Sequence, residues 1–272
     1  MRVWVVAGLT VAVSAAALRA RWIVAAYGST AQWTGKRDKD AKKDPPREAV
    51  KDVSMPFQVG EKLNYRVAWA TFSSAATVET SVVEQRDLFG WKTWHLKALI
   101  HTAGSVRSLF TIDDQADSYV DAQTQQTRQF ELYLDELGRK QNQVLRPVAR
   151  GDTARGGPGV IVQAGTRDPL GALYTLRAVD WRATPEVTVP VYDGRNLFEM
   201  RAKVEGASEK VTTAAGKFDA MRVGVKLFQF GKEGAENSFV IWFAQDRART
   251  PVAIEAALPF GSLHAEMVPT GK

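Results

Sequence analysis

Three histidines and a few polar clusters are where this sequence could hold chemistry. "GSLHAEM" places Ser262, His264 and Glu266 at alternate positions, which are the residue types of a hydrolytic triad. On a strand they share a face, but alternate residues stand about 6.6 Å apart, whereas a nucleophile and its base must approach to about 3 Å. No glycine-flanked elbow surrounds Ser262, so the pattern reads as a polar face opposite Leu263, Ala265 and Met267. His95 and His101 point the same way on one strand, about 20 Å apart at about 3.3 Å per residue, too far to share a metal. The chain has no cysteine, which excludes disulfides, Cys-ligated zinc, a Cys nucleophile and an acylated Cys. With no His-x-His or His-x-x-x-His spacing, no metal site is expected. "GGPG" lacks the spacing and the following Lys of a phosphate loop, so no cofactor is expected either.

The densest polar cluster lies in "SFVIWFAQDRARTPVAIE". Five apolar residues, Phe239 to Phe243, precede Asp246, Arg247 and Arg249, and Pro251 closes the stretch. Asp favours the start of a turn and Pro is tolerated at the first residue of a strand, so the cluster reads as a hairpin loop. An Asp246–Arg249 pair across it would contribute only about 0–1 kcal/mol. The strand before it is apolar on both faces: Phe239, Ile241 and Phe243 point one way, Val240 and Trp242 the other. A sheet with one wet face does not look like that, so something covers the second face. A helix, a second layer of sheet and a cavity for an apolar ligand all satisfy the pattern.

The elements that would position these residues emerge from the rest of the chain. Its 272 residues, 45% hydrophobic, are ample for a core. The net charge of +6 is concentrated early: residues 1–56 carry ten Lys and Arg against five Asp and Glu, leaving the remainder nearly neutral. That distribution argues against a nucleic-acid partner. Residues 1–26 read as a signal peptide or N-terminal anchor. The apolar run from Val3 to Leu18 is short of the roughly 20 residues that span a bilayer, and small residues Ser14–Ala17 suit cleavage. Arg19 and Arg21 directly after it favour the alternative, an inner-membrane anchor. Residues 27–56, with alternating charge and Pro45-Pro46, read as a disordered charged linker.

From residue 57 to 268 the period becomes two and a single β-rich domain is expected. In "EKLNYRVAWATF" one face carries Leu63, Tyr65, Val67 and Trp69. Similar runs recur with turn signals between them, among them Leu137-Gly138 and Asp193-Gly194. The expectation is a mainly β fold: a large curved antiparallel sheet, an open or half barrel, with one amphipathic helix at about 168–179. That helix follows from "RDPLGALYTLRAVDW": Asp168 is an N-cap, Pro169 suits the first helical position, and Leu170, Leu173, Tyr174 and Arg177 recur on one face. "SVRSLFTID" reads as a further strand and "RGDTARGGPG" as a flexible loop.

Four segments in order, "FQVGEKLNY", "DPLGALYTLR", "AAGKFDAMRV" and "IWFAQDRARTPV", resemble the bacterial exported family catalogued as domain of unknown function 3108. The resemblance covers nearly all of residues 57–268. It implies a cell-envelope protein of Gram-negative-type bacteria, located in the periplasm, with a mostly antiparallel β fold and no established activity. The family pattern has Ser where this chain has Gly171. The closing hairpin is also similar to one in periplasmic lipoprotein-carrier-like proteins, a fold-level analogy.

Three function classes fit these readings. The first is a non-catalytic binding protein for an apolar, lipid-like ligand or an envelope protein partner, with the ligand between the inner sheet face and the helix and touching Tyr65, Trp69, Leu173, Tyr174 and Trp242. The second is an envelope-acting hydrolase or transferase, for which scattered carboxylates such as Asp113, Asp114 and Asp117 speak. The third is a structural envelope protein. Oligomeric state is not encoded in any of these patterns.

Overall fold

The period-two runs become strands in the computed structural model, which describes residues 54–152, 154–230, 237–258 and 261–270. The expected signal or anchor (1–26) and all but the last three residues of the expected linker (27–56) lie outside the described residues. In chain order the elements are β1 (Lys62–Trp69), β2 (Phe72–Leu88), β3 (Trp91–Thr102), α1 (Gly104–Leu109), β4 (Asp113–Asp121), β5 (Thr127–Glu136), β6 (Arg139–Leu145), β7 (Pro147–Ala149) and β8 (Val160–Val162). They continue with α2 (Pro169–Ala178), β9 (Glu186–Tyr192), β10 (Leu197–Thr213), β11 (Gly216–Gln229), β12 (Asn237–Ala244), β13 (Pro251–Leu258) and β14 (Gly261–Val268).

Twelve strands form one antiparallel sheet in the order β6-β5-β4-β3-β2-β1-β14-β13-β12-β11-β10-β9, and β7 pairs with β8 in parallel. Two meanders are thus joined where the first strand meets the last, with Val67 opposite Ala265. Short hairpins suffice for such a path. At Leu137-Gly138 both residues adopt left-handed backbone (φ +53° and +73°), the geometry that matches the twist of the flanking strands.

The sheet is open between β6 and β9 but curved enough to bring these arms together. Helix α2 touches β3 and β4 in one arm and β9 at the far edge. The chain entering α2 stitches the gap: the Thr127 amide donates to the Thr166 carbonyl (3.1 Å), the Arg167 amide to Pro190 (2.9 Å) and the Tyr192 amide to Arg167 (2.8 Å). Strand β9 was not evident in the sequence because Pro190 interrupts "EVTVPVY"; at an edge, a proline is tolerated. "SVRSLFTID", expected as a strand, begins instead as α1, anchored by buried Val106 against β2.

Helix α2 starts where the capping signal placed it, with Asp168 extended and accepting from the Gly171 amide. Its burial exceeds one face: every residue from Pro169 to Arg177 except Thr175 is buried, because the sheet wraps around it. Ala172, Leu173 and Leu176 join Tyr65, Val67, Ile241, Phe243 and Ile254 in the main core, while Leu170 and Tyr174 join Phe57, Leu96 and Phe130 in a second cluster. Burying each such large side chain contributes about 1.5–3 kcal/mol.

The cover over the second face of "FVIWF" has two parts. Phe239, Ile241 and Phe243 belong to the core that α2 fills. On the other side Trp242 packs with Val211 and Phe218 from the long β10–β11 hairpin. The tip of that hairpin turns back across the sheet, since the Ala215 amide donates to the Met267 carbonyl of β14 (3.2 Å).

Candidate functional site

Each histidine meets a carboxylate across a strand pair. His95 Nε2 lies 2.6 Å from Asp117 Oδ1, His101 Nδ1 lies 2.7 Å from Asp113 Oδ1, and His264 Nδ1 lies 3.0 Å from Glu255 Oε1. Cross-strand pairs of this kind are invisible along one strand and are fixed only by register. Among the described residues no group of three or more potential metal ligands converges. Ser262 and His264 line a trough of about 460 Å³ on the outer face with Arg222, Lys226 and Glu255. Among the described residues no hydrogen bond joins Ser262 to His264. Glu266 serves Arg66 (3.2 Å from Nε) and the Ala214 amide (3.2 Å), which holds its carboxyl below the usual range.

The carboxylates named as enzyme candidates also point apart. Asp113 is held by Arg107 and His101, Asp117 by His95, and Asp114 is buried with its Oδ1 accepting from the Asp135 amide (2.9 Å). Asp114 lies on the same side of β4 as Ser118, and Asp113 and Asp117 on the other.

The five residues expected to hold an apolar ligand are distributed over three places. Tyr65 and Leu173 share the main core, Tyr65 donating its hydroxyl proton to the Pro251 carbonyl (2.9 Å). Tyr174 stands beside them on α2, and burial pushes its hydroxyl up to about 12. Trp69 is half-buried on the same inner face four residues beyond Tyr65, stacked on Phe72 with ring centroids 6.0 Å apart. Trp242 is on the opposite face, its indole donating to Glu209 (2.8 Å).

Sequence reasoning did not reveal what lies between Tyr65 and Tyr174. Arg177 is fully buried and forms a bidentate pair with Glu61 (2.6 and 2.9 Å), its guanidinium 5.0 Å from the Tyr174 ring centroid and 5.5 Å from that of Phe57. The one available signal was a cation on the apolar stripe of the helix. Asp168 is likewise more than a cap: Ser118 and Thr127 hydroxyls both donate to its Oδ2 (Thr127 at 2.6 Å). Burial outweighs these bonds and raises its pKa.

The polar cluster after Phe243 is a hairpin loop, as expected, and it docks on the C-terminal end of α2. Asp246 accepts from the Thr250 amide (3.2 Å) and hydroxyl (3.0 Å), in place of the expected pair with Arg249. Arg249 instead donates to the helix-end carbonyls of Arg177 (3.3 Å) and Ala178 (3.0 Å), where a cation is favoured. In return Arg177 donates to the Ala248 carbonyl (3.0 Å). Beside this contact opens a groove of about 420 Å³ lined by Asp180, Trp181, Arg182, Met221, Phe243, Gln245, Asp246, Arg247 and Arg249. Trp181 and Phe243 stack beneath it with centroids 6.3 Å apart.

The profile of a family described as "Protein of unknown function (DUF3108)" matches residues 64–268. The chain belongs to that family. No curated protein matches it by sequence. Among solved structures, the DUF3108 chain is similar to a beta-barrel-like protein of domain of unknown function DUF1849 from Brucella abortus. That match has 10% identity over 76% of this chain and 94% of that one, with a TM-score of 0.44. It is also similar to a protein with YmcC-like fold from Bacteroides fragilis, at 12% identity over 80% and 98% of the two chains, with a TM-score of 0.38. Scores this low carry no argument about function. Among the described residues no helix is long and apolar enough to cross a membrane.

Proposed function

We propose that this DUF3108 protein is an exported, periplasmic, non-catalytic protein that binds an apolar ligand at the groove beside the C-terminal end of α2. The carrying observation is the groove itself: a concavity of about 420 Å³ in which Met221 and the edges of buried Trp181 and Phe243 lie among charged side chains, with no occupant among the described residues. Its size falls within the range of small-molecule sites, about 300–1,000 Å³. Trp181 is fixed from behind, its indole donating to the Leu176 carbonyl (3.1 Å), so the floor is pre-formed and little ordering is lost on binding. Tyr65, Leu173 and Tyr174 support the site from the core side by holding α2 in place, and the N-terminal apolar run supports export. An envelope protein partner is the alternative occupant of the same groove.

Native mass spectrometry of the full chain prepared from its own envelope tests the reading. A co-purifying adduct is expected, and Met221→Trp, which fills the groove, should abolish it without lowering the urea midpoint. An adduct that survives Met221→Trp places the ligand elsewhere. Absence of saturable binding by any alkyl-chain ligand refutes the proposal.

A further inference from the structure

Resting on that reading, we infer that the ligand carries a phosphate-type anionic head, bound between the guanidinium groups of Arg182 and Arg247. The argument is an account of every charge that lines the groove. Asp180 Oδ1 accepts from the Arg182 amide of its own turn (3.2 Å), and both oxygens of Asp246 are engaged by Thr250. Arg249 is committed to the helix-end carbonyls, so it offsets the negative end of the α2 dipole and brings little spare positive charge. The lining thus holds three arginines against two carboxylates, a net positive charge, and the cations left without a partner are Arg182 and Arg247. Both side chains are exposed, and among the described residues neither has an ion pair or a side-chain hydrogen bond.

They sit on separate turns, one just after α2 and the other in the β12–β13 loop, and both line the groove. With the lining net positive, a bound anion lowers the mutual repulsion of these cations. Each guanidinium is a planar fork that takes two oxygens at once. A carboxylate has two oxygens and satisfies one fork; a phosphate ester has enough for both. An apolar tail against Met221 and the exposed edge of Trp181, with its phosphate at the arginines, uses the apolar and the unpartnered cationic parts of the lining. The ligand class is a single-chain anionic amphiphile bound as a monomer.

Isothermal titration of the full chain with octyl phosphate, octyl glucoside and inorganic phosphate, each below its aggregation concentration, tests this. Octyl phosphate should bind about tenfold or more tightly than octyl glucoside, which shares its tail but has a neutral head. Arg182→Gln and Arg247→Gln should each weaken octyl phosphate about tenfold, leave octyl glucoside unchanged and reduce the salt dependence. Both positions are exposed, and an unchanged thermal midpoint would show that the variants fold. Equal affinity for the two octyl ligands, or arginine variants that bind octyl phosphate as the parent does, overturns the anionic head while leaving the apolar groove standing. Inorganic phosphate binding as tightly as octyl phosphate overturns the inference by showing an anion site that ignores the tail. Failure of both octyl ligands to bind defeats the proposed function itself.

Discussion

Asp114 is placed to weaken the fold at neutral pH, and Asp114→Asn should strengthen it. The side chain is 3% exposed, its Oδ1 accepts from the Asp135 amide, and its Oδ2 has no hydrogen-bond partner among the described residues. Burial, with the neighbouring acids Glu136, Asp113 and Asp135, raises its pKa from the ordinary 3.8 to about 6. Because the folded value lies above the unfolded one, the stabilisation from the neutral form is complete below about pH 4 and is lost as pH rises through about 6. Two pH units at about 1.4 kcal/mol each give a total of about 2–3 kcal/mol. Asparagine keeps the acceptor for the Asp135 amide, is always neutral, and puts a donor among acidic groups. Urea unfolding of both proteins between about pH 4 and about pH 8 measures the effect. The variant should match the parent near pH 4 and exceed it by about 2–3 kcal/mol near pH 8. Asp113, Asp117 and Asp121 have lowered pKa values, so their contributions are lost as pH falls below about 4, and the subtraction removes them from both curves. A difference that does not vary with pH would show that Asp114 is not a strained carboxyl and would refute the reasoning.

Three further outcomes are expected from the helix and its clamps. Asp168→Ala should cost more than about 2 kcal/mol in urea unfolding, above the range of an exposed cap, because the Ser118 and Thr127 hydroxyls lose their acceptor in a buried site. Glu61→Gln should cost about 3–5 kcal/mol by leaving buried Arg177 without its counter-charge. The double variant Glu61→Gln, Arg177→Met should recover at least half of that loss, as judged by the same unfolding curves. Arg249→Ala should cost about 0.5–1.5 kcal/mol and speed hydrogen exchange at the Arg249-capped end of α2, with little change elsewhere in the sheet.

Much of the architecture was legible because strands and helix caps leave local marks. Alternation in "EKLNYRVAWATF" gave β1 with Tyr65, Val67 and Trp69 on the inner face, and Asp168-Pro169 located the first turn of α2. What failed was whatever depends on partners distant in sequence. Pro190 concealed an edge strand that is stabilised by Arg167, and "SVRSLFTID" was apolar enough for a strand but was turned into a helix by its contact with β2. The helix looked amphipathic because Leu170, Leu173 and Tyr174 recur on one face, and Arg177 falls on that face too. Its burial depends on Glu61, 116 residues earlier, and no period along α2 encodes that. The proposed ligand residues show the same limit. Period two placed Trp242 opposite Ile241, but only the returning β10–β11 hairpin reveals that its face is covered by the chain itself.

The loop after Phe243 shows how structural and functional demands can divide one polar run. Asp246 closes the turn through Thr250, and Arg249 holds the end of α2, so two of its three charges are explained by folding alone. Arg247 is not: it lines the same groove as Arg182 with no partner among the described residues, and stability gives no reason for a cation there. A charge left over after the fold is satisfied is a better pointer to function than a dense cluster, because clusters form wherever turns and helix ends need capping. That distinction yields opposite expectations for neighbouring residues. Arg249→Ala should lower stability with its effect on ligand passing through α2, whereas Arg247→Gln should leave the unfolding midpoint unchanged and act on anion affinity alone.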